Sequence, residues 1–321
     1  MSLSVNSMRL SDSSWASIIA GFISCALVIC APEINNKTGI QRDNHRHRAY
    51  AFILFIRTPS SFAMLRKIII FYCTVFMSTA YAHEFWLQPD TYTAAEGEEI
   101  QVNWRVGMDF QGRSSAYIPD MSTYVGTFQK GQLAPLKPRF AAKPTLTFNS
   151  GPGTTIGITE SADFVVEYEN YDAFFAFIEK EHLRDQLIEP TEPPSGKTFE
   201  SYRRFTKTLI STEAHTWQDS LVGLNFEWLL TREGSNLRGN LYINNQPAVN
   251  YPVKLFAKAA QTSAASVQKI KTDDMGEVLF TNLEAGYLYL INAIKIRPSA
   301  AGDKFDKAQW HTDWASTTFQ W

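Results

Sequence analysis

The chain has 321 residues, with 30 Lys and Arg against 32 Asp and Glu and a formal net charge of −2. That balance provides no basic footprint for nucleic acid. Three cysteines in such a length rule out a disulfide-built scaffold.

Residues 15–31 are an apolar run of 17 residues, at the lower limit for a membrane span. A basic patch with His45 and His47 follows at 42–48. Residues 64–82, MLRKIIIFYCTVFMSTAYA, then read as a secretory signal. Arg66 and Lys67 form its positive start, 68–77 its apolar core, and Ala80-Tyr81-Ala82 an A-x-A cleavage site. Cutting after Ala82 makes His83 the first residue of the mature chain. Signal peptides are N-terminal, so residues 1–63 are expected to be an upstream mis-assigned start or a disordered segment. The alternative is a membrane anchor at 15–31. Residues 83–321 hold 22 basic and 29 acidic side chains and none of the cysteines, which lie at 25, 30 and 73. With no later stop-transfer segment, the expected product is soluble, exported and periplasmic.

After the cut, residues 99–106 (EIQVNWRV) alternate polar and apolar, the pattern of a half-buried strand. Residues 124–128, 144–148 and 163–169 are further strand candidates. Residues 172–188 place Phe174, Phe177, Ile178 and Leu183 near one face, which predicts a helix. A Pro-rich loop with Gly196 ends it. Residues 199–210 (FESYRRFTKTLI) put Tyr202, Phe205 and Leu209 at helical spacing, which predicts a second helix. From 237 onward the pattern is all-β: strands at 237–244, 253–258, 267–272, 277–280, 286–296 and 314–321, with turns at 244–247 and 273–276. The fold class is therefore mainly β. A β-rich domain with two helices at 83–230 precedes an immunoglobulin-like or prealbumin-like β-sandwich at 235–321.

Four stretches carry a resemblance: HEFWLQP at 83–89, SYRRFTKTLI at 201–210, TDDMGEVLFTNLEAGYLYLINAI at 272–294 and HTDWASTTFQW at 311–321. In that order they resemble a family of exported proteins of unknown function with a NikM-like domain, often described as periplasmic components of cobalt/nickel uptake. The resemblance implies a mostly β protein linked to divalent transition metals. It does not imply catalysis. In that family a His often stands where this chain has Lys295, a departure that argues against a metal role for that strand.

His83 is the foremost metal candidate. A free N-terminal amine and its own Nδ1 can chelate one ion, and a second His would complete a three-nitrogen site for Ni, Co or Cu. His215, just past the second expected helix, is the first choice of partner and His311 the second; His182 reads as half of a solvated Glu-His surface pair. The bland alternatives are a solvated terminus for His83, a dipole contact for His215 and packing between Trp310 and Trp314 for His311. Trp86, Trp104, Trp310, Trp314 and Trp321 fit a glycan-binding face or, more simply, core. G-x-S-x-G and H-E-x-x-H are both absent. The expected protein is a non-enzymatic periplasmic metal-binding accessory working beside an inner-membrane metal importer. The alternative is a non-catalytic ligand- or partner-binding β-sandwich of the cell envelope.

Overall fold

The structure, a computed structural model, describes residues 83–192, 194–213, 216–259, 262 and 264–321. The expected signal at 64–82, the segment before it and His215 lie outside these residues. Chain order begins with β1 (Glu84–Pro89), β2 (Glu99–Met108), β3 (Gln111–Ser115), β4 (Ser122–Gln129), β5 (Gln132–Pro135), β6 (Leu146–Asn149), β7 (Thr154–Ser161) and β8 (Phe164–Tyr168). Helix α1 (Tyr171–Lys180), a short 3-10 turn (Arg184–Gln186) and β9 (Thr198–Ser211) come next. Then follow β10 (Phe226–Glu233), β11 (Asn236–Ile243), β12 (Gln246–Pro247), β13 (Pro252–Lys258), β14 (Ser266–Lys271), β15 (Glu277–Phe280), β16 (Leu288–Pro298) and β17 (Trp310–Gln320).

One nine-stranded sheet is the frame, ordered β14-β13-β16-β17-β9-β7-β4-β5 with β8 added beside β9. All its pairs are antiparallel except β17 and β9, which run parallel. Side chains alternate across a strand, so each strand feeds two faces. On the front face, Ile156, Ile158, Phe205, Leu209, Leu255, Ile291 and Phe319 pack against Phe226, Trp228, Leu230, Leu237, Leu241 and Phe280. The latter six belong to a second sheet, β10-β11-β12 with β15. On the back face lies a third sheet, β1-β2-β3 with β6, packed through Phe85, Leu87, Ile100, Trp104 and Phe148. Helix α1 covers the rest of the back, setting Phe174, Phe177 and Ile178 against Trp310, Trp314, Ile294 and Ile296.

The back layer explains why β17 buries so many hydroxyls. Among the described residues, strand β1 pairs only with β2, which leaves its other edge without a strand partner. Ser316 Oγ donates to the Phe85 carbonyl at 2.9 Å and Thr318 Oγ1 to the Leu87 carbonyl at 2.6 Å. Arg204 Nη2 donates to the His83 carbonyl at 2.9 Å. The main frame thus satisfies backbone groups that a buried edge would otherwise leave orphaned.

Two expectations are corrected. The stretch at 199–210 is strand β9, not a helix. Its apolar residues satisfy both periods: Phe205 and Leu209 are four apart, yet also share the odd-numbered face of a strand. Because β9 lies mid-sheet and most of it is buried on both faces, little polar alternation survives to reveal it. The first helix is also shorter than 172–188. Asn170 caps it by accepting from the Ala173 N–H at 2.9 Å, and it ends at Lys180, where His182 takes a left-handed φ of 59°. The boundary expected near 231–237 is the turn of the β10–β11 hairpin. Strand β17 from the second half pairs along nine residues with β9 from the first, so both halves share one sheet.

The turn at 273–276 forms as expected. Gly276 has φ 71°, and a Cβ there would sit 2.9 Å from the Ala248 nitrogen.

Candidate functional site

Three neighbouring strands each place two polar side chains, two residues apart, on the front face beyond the end of the covering sheet. They are Ser201 and Arg203 on β9, His311 and Asp313 on β17, and Lys295 and Arg297 on β16. Register turns these pairs into two rows. Ser201 and Arg297 flank His311, while Arg203 and Lys295 flank Asp313. The loop between β16 and β17 adds Asp303, Lys304 and Phe305. Asp163 lies just before β8, Asn225 just before β10 and Asn244 just after β11. Together they line a cavity of about 350 Å³.

The charges inside it are largely matched. Lys295 Nζ lies 2.6 Å from Asp313 Oδ2. Arg297 grips Asp303 through two bonds of 2.8 and 3.0 Å, and Arg203 pairs with Glu160 at 2.7 Å. Burial pushes the Asp313 carboxyl up, but hydrogen bonds from His311 and Lys295 and the lysine charge outweigh it and leave it below its ordinary value. The bidentate arginine holds Asp303 at about 2. Burial raises Glu160 despite the guanidinium of Arg203 beside it.

His311 is used at both nitrogens. Nε2 lies 3.0 Å from Asp313 Oδ1, and Nδ1 lies 2.8 Å from Ser201 Oγ. An ionised Asp313 can only accept, so Nε2 carries a proton, and in the neutral ring Nδ1 accepts from the serine hydroxyl. This is a serine–histidine–aspartate chain with the two ring nitrogens exchanged relative to the hydrolase arrangement. Ser201 is only 1% exposed, and its Oγ also lies 3.4 Å from the Trp310 carbonyl. A hydroxyl so enclosed orients the ring and does not present a nucleophile.

Of the expected metal ligands, His83 and His311 do not come together, and His215 lies outside the described residues. His311 belongs to the front face. His83 is tied to the back face through Arg204, whose register partner is Trp314, one residue from Asp313 and on the opposite side of the strand. His83 is half-buried beside the β2–β3 hairpin, near Met108 and Gln111. His182 is exposed, with Nε2 3.1 Å from Lys269 Nζ. Among the described residues no three His, Cys, Asp or Glu side chains are grouped to hold a metal ion. The five tryptophans proposed for a glycan face are all 2–3% exposed and are core.

Of the cavity's residues, sequence reasoning singled out His311 as a metal ligand and Lys295 as a family departure. The others left a faint signal: S-Y-R, K-I-R and H-T-D each set two polar residues two apart within apolar strands, and such pairs share a face.

Residues 80–295 match the model of a family described as a domain of unknown function, DUF4198. The chain belongs to that family. The match stops at Lys295, so His311 and Asp313 lie beyond it. No curated protein matches the chain. Among solved structures, the chicken interferon gamma receptor alpha chain shares 8% identity over 64% of this chain and 88% of its own, with a TM-score of 0.18. A tetra-tandem repeat of a large adhesion protein shares 8% over 74% and 49%, with a TM-score of 0.18. The D0-D1 domain of intimin shares 11% over 73% and 97%, with a TM-score of 0.17. At those TM-scores the likenesses bear on neither fold nor function. No helix among the described residues is long and apolar enough to cross a membrane.

Proposed function

We propose that this protein is a non-catalytic ligand-binding β-protein of the cell envelope, exported by the signal at 64–82 into the periplasm. Its immunoglobulin-like or prealbumin-like C-terminal strands, with β9, carry the binding site. The observation behind this is the front-face cavity: about 350 Å³, open at the end of the covering sheet and lined by charges of both signs on rigid strands. That volume suits a small molecule, and side chains fixed by ion pairs and by the His311 chain need little reordering on binding. The test is thermal melting of the wild type, Arg297→Ala and Asp313→Asn against amino acids, sugars, phosphates and dicarboxylates. At least one class should raise the wild-type Tm, and that rise should vanish in the variants. A flat response to every class overturns the reading.

A second reading keeps the metal link and rests on His83 alone. Among the described residues its ring makes no hydrogen bond; only its carbonyl is engaged. Removal of 1–82 would add a terminal amine to that free ring, giving a chelate for Ni, Co or Cu and a role in handing the ion to an inner-membrane importer. An extra residue before His83 keeps the ring and moves the amine away. That variant and His83→Ala should lose most of the affinity in a competition titration. Equal binding by the extended protein ends this reading.

A further inference from the structure

The cavity's charges can be counted pair by pair, and the count points to a ligand class. This step rests on the cavity being a ligand site. Four cations, Arg203, Lys295, Arg297 and Lys304, face four carboxylates, Glu160, Asp163, Asp303 and Asp313, counting Glu160 through its bond to Arg203. Six of the eight are consumed internally: Arg203 with Glu160, Lys295 with Asp313 and Arg297 with Asp303. Two remain without a direct ion pair among the described residues, although the charge of Asp163 is felt by Arg297. One is Asp163, half-buried between β7 and β8. The other is Lys304, exposed on the loop between β16 and β17, its ammonium 5.5 Å from the Phe305 ring.

A lone anion entering this cavity gains Lys304, and donors such as Arg203 Nε that the formed pairs leave unused, but it also meets Asp163. A lone cation faces the mirror problem. A neutral polyol gives neither group a direct ionic partner. A ligand carrying one charge of each sign satisfies both while every internal pair stays closed. The side chains of Asn225 and Asn244 at the rim can donate and accept, and Phe205 and Phe305 supply apolar surface for a side chain. We propose that the cavity binds a small zwitterion of the α-amino acid class, its ammonium on Asp163 and its carboxylate on Lys304.

Calorimetric titration of the folded, exported protein tests this with three matched probes: individual free α-amino acids, the amines left by removing their carboxyl group, and the carboxylic acids left by removing their amino group. Glucose, glycerol and inorganic phosphate complete the set. At least one amino acid should bind, and its amine and acid counterparts should each bind at least tenfold more weakly. Asp163→Asn should weaken the amino acid and erase its preference over the matching acid. Lys304→Met should weaken it and erase its preference over the matching amine. Both positions lie outside the buried core, and melting curves of the variants check their folding. Binding of a sugar, of phosphate or of a singly charged probe as tight as the amino acid overturns the zwitterion while leaving the ligand site standing, provided Arg297→Ala abolishes it. Binding of none of the probes overturns both. Amino acid binding that survives both charge removals also overturns the assignment.

Discussion

The two faces of the nine-stranded sheet differ in how they pair buried charge. On the front, the buried carboxylates Asp313, Asp219 and Glu227 each have a cation. Asp313 has Lys295, and Asp219 and Glu227 share Lys207, whose Nζ lies 2.7 Å from Asp219 Oδ1 and 2.6 Å from the Trp228 carbonyl. On the back, Glu84 and Glu200 form no direct ion pair among the described residues, although the Arg204 charge reaches both. Glu200 is fully buried and receives only hydroxyl donors, Tyr168 at 2.6 Å and Thr312, so burial lifts it to about 7. Glu84 and Glu181 both face Lys254, which pairs with Glu181. One oxygen of Glu84 has no hydrogen-bond partner among the described residues, and burial and the Glu181 charge raise the carboxyl to about 7. Burial raises Asp219 and Glu227 as well, even beside Lys207, so depth lifts carboxyls on both faces; of these groups only Asp313, with His311 and Lys295 beside it, ends below its ordinary value.

The largest effect should come from breaking a front-face pair. Lys207→Met leaves Asp219 and Glu227 buried without their cation and should cost about 3–5 kcal/mol in urea unfolding. A loss under about 1 kcal/mol would show that the backbone donors to these carboxylates suffice alone.

The back face should appear as a pH dependence. Glu84 and Glu200 hold their protons more tightly folded than unfolded, since both rise from 4.5 to about 7. Their contribution is complete below about pH 4.5 and is lost as pH rises through about 7, with each carboxyl worth on the order of 3 kcal/mol. Unfolding free energy should therefore fall between pH 5 and 8, and Glu84→Gln and Glu200→Gln should each flatten part of that slope. An unchanged slope in the double variant would mean that both carboxyls find cations.

Asp313 should show the opposite sign. Its value is lowered, so its contribution is present above the ordinary aspartate value and lost as pH falls through the folded one. Asp313→Asn should cost about 1–3 kcal/mol at pH 7 and progressively less in acid. A constant cost down to pH 2 would place its role in packing.

The smallest effect concerns the cover of the back face. Asn170→Ala removes the cap of α1 and should cost about 1 kcal/mol by thermal melting, without altering ligand binding at the front. A change in binding would show that the two faces communicate.

Most of the strand pattern was legible in the sequence. The alternation at 99–106 lies within β2, the expected 277–280 coincides with β15, and the 273–276 turn forms around Gly276. These features are local: side-chain period and positive φ need only neighbouring residues to be read. The spacing of Phe174, Phe177 and Ile178 likewise revealed α1. What the sequence could not decide is what each strand pairs with. Strand β9 looked helical because burial on both faces removed its polar alternation. Only its parallel pairing with β17, across about a hundred residues of chain, sets Ser201 beside His311 and Arg203 beside Asp313. The antiparallel β16 partner sets Lys295 opposite Asp313. A one-residue slip in either ladder would send these side chains to opposite faces and dissolve the cavity. The chemistry of the site is therefore written in three short polar pairs, but register, a property of the folded sheet alone, makes them one place.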